Sequence, residues 1–221
     1  MKYIKRTTKD INKDFLVELL EDRGFKLNNS FFNPTEENEL LPINLDNIQL
    51  GAEMLKKHIV NNSKIHIVTD SDVDGYTSAA LMYNYLNQCP FFKNYNFELS
   101  YHIPLGKEHG LKTIIKEYNT KKKFDLIILP DSSSNDYEEH KELKELGYDI
   151  LVLDHHIADY YSENAIVVNN QLSKNYENKS LSGVGVVYKF IEFFNEMWKV
   201  DNEVYDDKFD IKQYIDLVAL G

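Results

Sequence analysis

Three short apolar runs set the terms for this chain: Ile65 to Val68, Phe124 to Leu129 and Tyr148 to Leu153. Each is rich in β-branched and aliphatic residues and too short for a core helix, so each reads as a buried strand. Each also breaks directly into side chains that carry charge or bind metals. The first delivers Asp70, Asp72 and Asp74, the second Asp131, and the third Asp154, His155 and His156. Stretches with helical spacing lie between them. Strands that alternate with helices in this way predict an α/β fold: a mostly parallel sheet with helices on both faces. In such sheets ligands sit beyond the carboxyl ends of the strands, so neighbouring strands would bring all three clusters to one edge.

The first unit, Lys64 to Leu86, reads as strand, acidic turn and helix, with Thr77 or Ser78 placed to cap the helix start. Three carboxylates at alternate positions of one turn need cations to stay ionised together. Hard divalent ions, Mg²⁺ or Mn²⁺, are natural partners for such oxygen clusters. A calcium loop of the EF-hand kind is excluded by its own arithmetic. Its twelfth position requires a bidentate Glu and holds Leu81, and a strand stands where a helix should precede it.

A length of 221 residues with 43% hydrophobic content is ample for a globular core. The net charge of −11 argues against a diffuse basic surface, so a phosphate-bearing substrate would be held locally. Cys89 stands alone, which fits a reducing compartment. No apolar stretch approaches the roughly 18 residues of a membrane span, and MKYIKRTTKD lacks the apolar core of a signal peptide. The expectation is a soluble, cytoplasmic protein with no membrane contact.

Along the chain, residues 1–12 read as polar and ordered in part. Lys13 to Arg23 forms a helix ended by Gly24, and KLNNSFFNPTEENELLPINL forms an extended connection. Ile48 to Val60 is amphipathic, with Leu50, Met54, Leu55 and His58 or Ile59 toward the core and His58 partly exposed. Phe97 to Ile103 alternates as a strand, Leu111 to Tyr118 reads as a helix, and Lys121 to Lys123 as a basic turn. Asp136 to Leu146 is a charged helix, and Ala165 to Val168 a short strand before Asn169 and Asn170. The Gly-rich Ser182 to Val187 opens an apolar helix, a polar connection spans Asp201 to Asp210, and a helix closes the chain over Ile211 to Leu220.

Each cluster admits a plainer reading. Asp131 with Ser132 to Ser134 could cap the next helix, and His155 with His156 could be packed core histidines. Together they put five carboxylates and two imidazoles where divalent ions could be shared. Asp and His without Cys favour Mn²⁺ or Mg²⁺ over structural zinc. Two such ions, about 3.5–4 Å apart, clamp a phosphoryl group for in-line attack, and Asp131 is the candidate bridge between them.

DSDVDG, PDSSS and LDHH, each after an apolar strand and in that order, resemble the first three motifs of the DHH phosphoesterase superfamily. Within it the chain resembles the RecJ single-strand-specific exonucleases. LLEDRGF, IPLGKEHGL and LSGVGVVYKF are similar to RecJ segments in the same order, so the likeness runs from about Phe15 to Gly221.

The resemblance implies that residues 1–47 form an N-terminal helix and connection and 48–221 a DHH-type metal-binding catalytic domain. It implies two divalent cations. One is held by Asp72 and Asp131 with Asp70 close by or ligating, the other by Asp74, Asp131 and His155. His156 would contact the scissile phosphate and Asp154 would orient a histidine. Gly183 and Gly185 would offer N–H groups to a phosphate or permit close helix packing. RecJ proteins usually carry an Arg and G-Y-G where this chain has Lys107 and E-H-G, so Lys107 and His109 would take over phosphate contact. The family's fourth motif places an Asp just after a segment like DLVALG. That ligand and a further domain would lie past Gly221, as in a truncated piece, a shortened gene product or a subunit completed by another chain.

The function so implied is metal-dependent exonucleolytic hydrolysis of single-stranded DNA, 5′ to 3′, in repair, recombination or replication, beside single-strand-binding or helicase proteins. One rival keeps the metals and cleaves short oligonucleotides, cyclic dinucleotides or pyrophosphate. Relatives of that kind open with His-x-x-x-Asp-x-Asp, whereas Val68 stands four residues before Asp72 here. A second rival is a non-catalytic scaffold in a replication or repair assembly.

Overall fold

The apolar runs become five parallel strands. The computed structural model describes residues 15–25, 27, 32, 33, 35, 39–104, 106, 109–112, 114–118, 122–203 and 209–221. The expectations for residues 1–12, Lys107 and Lys121 lie outside these. The chain divides into two units, Met1–Leu40 and Leu41–Gly221. In the first, α1 (Phe15–Asp22) ends where expected. Gly24 takes φ +85° and the Phe25 N–H closes back on the Leu20 carbonyl, a left-handed turn that suits glycine.

The second unit contains, in order, α2 (Ile48–Val60), β1 (Lys64–Val68), α3 (Val73–Gln88), β2 (Glu98–His102), α4 (Ile115–Tyr118), β3 (Leu126–Pro130), α5 (Tyr137–Glu145), β4 (Asp149–Asp154), β5 (Ile166–Asn169), α6 (Gly183–Asp201) and α7 (Ile215–Leu220). The sheet order is β2-β1-β3-β4-β5, every pair parallel. The three strands with acidic ends are therefore neighbours, with β3 in the middle.

Alternate side chains of the strands feed two apolar layers. Ile127, Leu129, Ile150 and Val152 pack with Leu111, Ile115, Tyr118 and Leu143 on the α4–α5 side. On the other side α2, α3 and α6 pack against the sheet, with α6 against both α2 and α3, and α7 packs on α3 and α6. Here Gly51 lets α2 approach, since a Cβ would lie 2.9 Å from Leu151 Cδ1 and 3.1 Å from Phe190. Burying each Val, Leu or Ile contributes about 1.5–3 kcal/mol, so central strands covered on both faces form a stiff platform.

Several local expectations give way. Helix α3 starts at Val73, ahead of Thr77 and Ser78, because Asp72 is its N-cap and accepts the Gly75 N–H at 2.9 Å. Thr77 Oγ1 instead donates to the Val73 carbonyl at 2.9 Å. Leu50 is 53% exposed, and the buried stripe of α2 includes His58, whose Nε2 lies 3.0 Å from Asp149 Oδ2. An acidic partner on β4 lets that imidazole turn inward. The segment before α2 folds with the sheet: Asn47 Nδ2 donates to the Val167 carbonyl at 3.0 Å and Leu45 is buried. Among the described residues of the predicted 111–118 helix, Ile115–Tyr118 is the regular part. The last helix is split into a 3₁₀ turn, Ile211–Tyr214, followed by α7.

Candidate metal centre

The carboxyl ends of β1, β3 and β4 bring the three clusters to one rim. Oxygens of Asp70, Asp72 and Asp131 lie within 4.8 Å of one another, as do ligand atoms of Asp131, His155 and His156. Asp131 belongs to both groups. Among the described residues these are the sets of three or more His, Cys, Asp or Glu able to hold a metal ion.

Asp131 reaches this position by an uncommon backbone. Its φ is +67° and that of Ser133 is +77°, so the chain turns through the left-handed region directly after β3. Asp tolerates that region better than most side chains, at a cost of about 1–2 kcal/mol. The next helix is entered at Asp136, so neither Asp131 nor the three serines serves as its N-cap. The Asp131 side chain is 1% exposed, and among the described residues neither of its oxygens receives a hydrogen bond. Burial, reinforced by the charge of Asp74, raises its pKa to about 6 against the opposing pull of His155.

His155 makes the same demand from the other side. Its Nδ1 lies 3.1 Å from the Leu181 carbonyl, which can only accept, so the proton belongs on Nδ1 and the Nε2 lone pair is bare. That Nε2 stands 3.2 Å from Asp131 Oδ1 and 3.6 Å from Asp74 Oδ2. Three electron-rich atoms face one another, and a cation among them, a proton or a metal ion, relieves the repulsion. The His155 pKa is accordingly raised, first by Asp131. Uncompensated buried oxygens with one imidazole and no thiolate fit a hard divalent ion.

The other predicted residues take distinct places. Asp72 caps α3 while one end of its carboxylate remains within the cluster. Gly75 lets that first turn close on Asp70, where a Cβ would lie 2.6 Å from the Asp70 Cβ. Asp74 accepts the Gly183 and Val184 N–H groups, both at 2.7 Å, and so ties α6 to the rim. Asp70 is buried and faces His109 Nδ1 at 3.0 and 3.2 Å. The expectation that Gly183 and Gly185 offer N–H groups to a phosphate is corrected: the first is given to Asp74 and the second to Ser182 Oγ at 3.3 Å. Close packing accounts for Gly183, because any Cβ there would overlap the Asp131 carboxylate.

Asp154 is fully buried but saturated. It accepts the N–H groups of His155 (2.7 Å), His156 (3.2 Å) and Ser134 (3.0 Å), and faces His156 Nδ1 at 2.7 Å. Burial alone would raise its pKa; these partners, His156 foremost, bring it below the usual carboxylate range. In turn Asp154 pushes the His156 pKa up to about 9. Sequence reading gave Asn169 no role and Ser134 only that of a possible helix cap. Asn169 Nδ2 donates to Ser134 Oγ at 2.8 Å and to the His156 carbonyl at 2.9 Å, so β5 secures the histidine loop. A strand ending in Asn beside one ending in Asp-His-His was the available signal.

The family model described as "DHH family, N-terminal domain" matches residues 64–221. YorK of Bacillus subtilis strain 168, named as an SPbeta prophage-derived single-strand DNA-specific exonuclease, is 39% identical over 215 residues, covering 96% of this chain and 34% of YorK. The single-stranded-DNA-specific exonuclease RecJ of Haemophilus influenzae is 30% identical over 232 residues, covering 100% of this chain and 39% of that protein. The crystal structure of Thermus thermophilus RecJ in complex with Mn²⁺ superposes with a TM-score of 0.66 at 22% identity, over 90% of this chain and 26% of that one, and shares its fold. The chain thus spans between a third and two fifths of these two curated relatives.

Proposed function

Because the chain belongs to the DHH family, we propose that it carries the catalytic metal centre of a single-strand-specific DNA exonuclease, removing nucleotides from an end in the 5′ to 3′ direction during repair, recombination or replication. The observation that supports this most is Asp131. It is a buried carboxylate without a donor among the described residues, at the vertex shared by Asp70 and Asp72 on one side and His155 and His156 on the other. The names of YorK and RecJ, and the Mn²⁺ held by a RecJ structure, point the same way.

In this reading Asp70, Asp72 and Asp131 would hold one Mn²⁺ or Mg²⁺ ion, and Asp74, Asp131 and His155 would hold a second. When bound, such ions supply the positive charge that offsets a phosphodiester and lowers the pKa of water. The chain does the rest. Asp74, anchored on two backbone N–H groups, and His155, anchored through Nδ1, hold their ligand atoms in place. His156, kept protonated by Asp154, presents its outer ring nitrogen to the phosphate and gives the leaving oxygen a proton. Asp154 is a positioning residue.

The test is digestion of end-labelled single-stranded DNA by the full-length protein with Mn²⁺, alongside Asp131→Ala. The expected result is stepwise loss from the 5′ end that the variant abolishes. Absence of cleavage, or cleavage indifferent to the substitution, defeats the reading.

A further inference from the structure

A groove of about 270 Å³ runs beside α3 and the sheet-edge strand β2, lined by Thr69, Tyr76, Tyr83, Asn84, Tyr101 and Ile103 together with two alanines. One wall begins at Thr69, next to the metal-cluster residue Asp70, and Tyr76 lies two residues past Asp74. Among the described residues that line it no side chain is charged at neutral pH, in a chain whose net charge is −11. The rings are presented outward. Tyr76 is 43% and Tyr101 54% exposed, with Ile103 at 53% beside them. Tyr83 meets Tyr101 perpendicularly, at 5.3 Å between centroids, and steadies the ring while leaving over half of that residue open. Aromatics exposed and braced in this way offer their faces to an occupant.

We infer that this groove takes the unpaired bases of a single strand and is the feature that tells single-stranded from double-stranded nucleic acid at the metal centre. The inference rests on the function proposed above. A net charge of −11 argues against a diffuse basic surface, so holding a strand away from the metal centre falls to base stacking, which tolerates any sequence and is worth about 1–3 kcal/mol per base. A duplex keeps its base faces buried in its own stack and gains nothing from tyrosines. The groove is sized for a base rather than for a helix, and its lining residues Thr69 and Tyr76 stand one and two positions along the chain from Asp70 and Asp74. A strand threaded from the cluster past Tyr76 toward Tyr101 stays uncharged on the groove side and leaves its phosphates to solvent.

The experiment measures fluorescence anisotropy of a labelled ten-nucleotide thymidine strand, its abasic counterpart and a matched duplex. Every chain carries Asp131→Asn so that nothing is cut. Tyr76→Ala and Tyr101→Ala are each expected to weaken thymidine-strand binding about tenfold. Tyr101→Phe keeps the affinity, because the ring is what stacks. The abasic strand and the duplex bind weakly and alike to all variants. Should Tyr101→Ala fail to fold, as read from its melting curve, Ile103→Ser at an exposed position gives the same reading. If the parent prefers the thymidine strand and the tyrosine and Ile103 variants match it, the groove inference is overturned and the nuclease reading stands. If the parent binds no strand, both fall. If the parent sediments as a dimer and the variants as monomers, the groove is a self-association face and the inference is wrong.

Discussion

Asp131 and Asp154 end adjacent strands, follow the same kind of apolar run and are both fully buried, yet they live in opposite electrostatic surroundings. Asp154 has four donors around it and a depressed pKa, whereas Asp131 has no hydrogen-bond donor among the described residues and a pKa raised to about 6. A buried charge is tolerated when it is satisfied and costly when it is not. Saturation makes Asp154 a fixed strut for the His155–His156 loop. Deprivation makes Asp131 a standing demand for positive charge, the electrostatic condition of a metal ligand.

The contrast breaks most visibly in activity. Asp131→Ala is expected to lower Mn²⁺-dependent cleavage of single-stranded DNA by about a thousandfold or more, because the shared vertex is lost. Asp154→Asn should keep Mn²⁺ binding in calorimetry but cut kcat by about 10–100-fold, since the amide disturbs the orientation and protonation of His156. If the two variants behave alike, the distinction between ligand and strut is wrong.

Stability without metal should separate them by sign. A carboxylate whose folded pKa is raised contributes stability below its unfolded pKa and loses that contribution as pH rises through about 6. At pH 7.5 in EDTA, Asp131→Asn should therefore be more stable than the parent by about 2 kcal/mol, the gain shrinking to nothing near pH 4. A depressed carboxylate contributes above its unfolded pKa and loses that as pH falls through its folded one. Asp154→Asn should accordingly melt lower than the parent at pH 7.5, and the deficit should narrow in acid. Thermal melts between pH 4 and 8 read both slopes.

The smallest effect sharpens the account of Asp154. Ser134 gives that carboxylate its backbone N–H and uses its hydroxyl on Asn169, so Ser134→Ala should cost about 1 kcal/mol in chemical denaturation and leave Mn²⁺ affinity unchanged. A fall in Mn²⁺ affinity would show that β5 reaches the ion-binding residues directly.

Much of the frame was legible because it is local. Ile65 to Val68 and Phe124 to Leu129 are runs that only a covered strand can bury, and the turns after them are acidic at once. Where the reading slipped, the cause was distant in one case and local in the other. Asp149 on β4, 91 positions away, drew His58 inward, whereas Asp72 capped α3 three residues ahead of Gly75 and so before the threonine and serine that looked like caps. The glycines at the start of α6 read equally as phosphate donors and as packing residues until Asp74 and Asp131 were in place around Gly183.

From the residues alone came the strands, the acidic turns, the parallel α/β plan and the chemical type of the cluster, since each depends on neighbours a few positions apart. Tertiary structure decided that β3 lies between β1 and β4, that Asp131 is deprived and Asp154 sated, and that Tyr76 and Tyr101 share a groove. These depend on which groups meet after the chain has closed its long loops. Hydrogen-bond donors are allotted in space, and identical dipeptides in a sequence carry no record of that allotment.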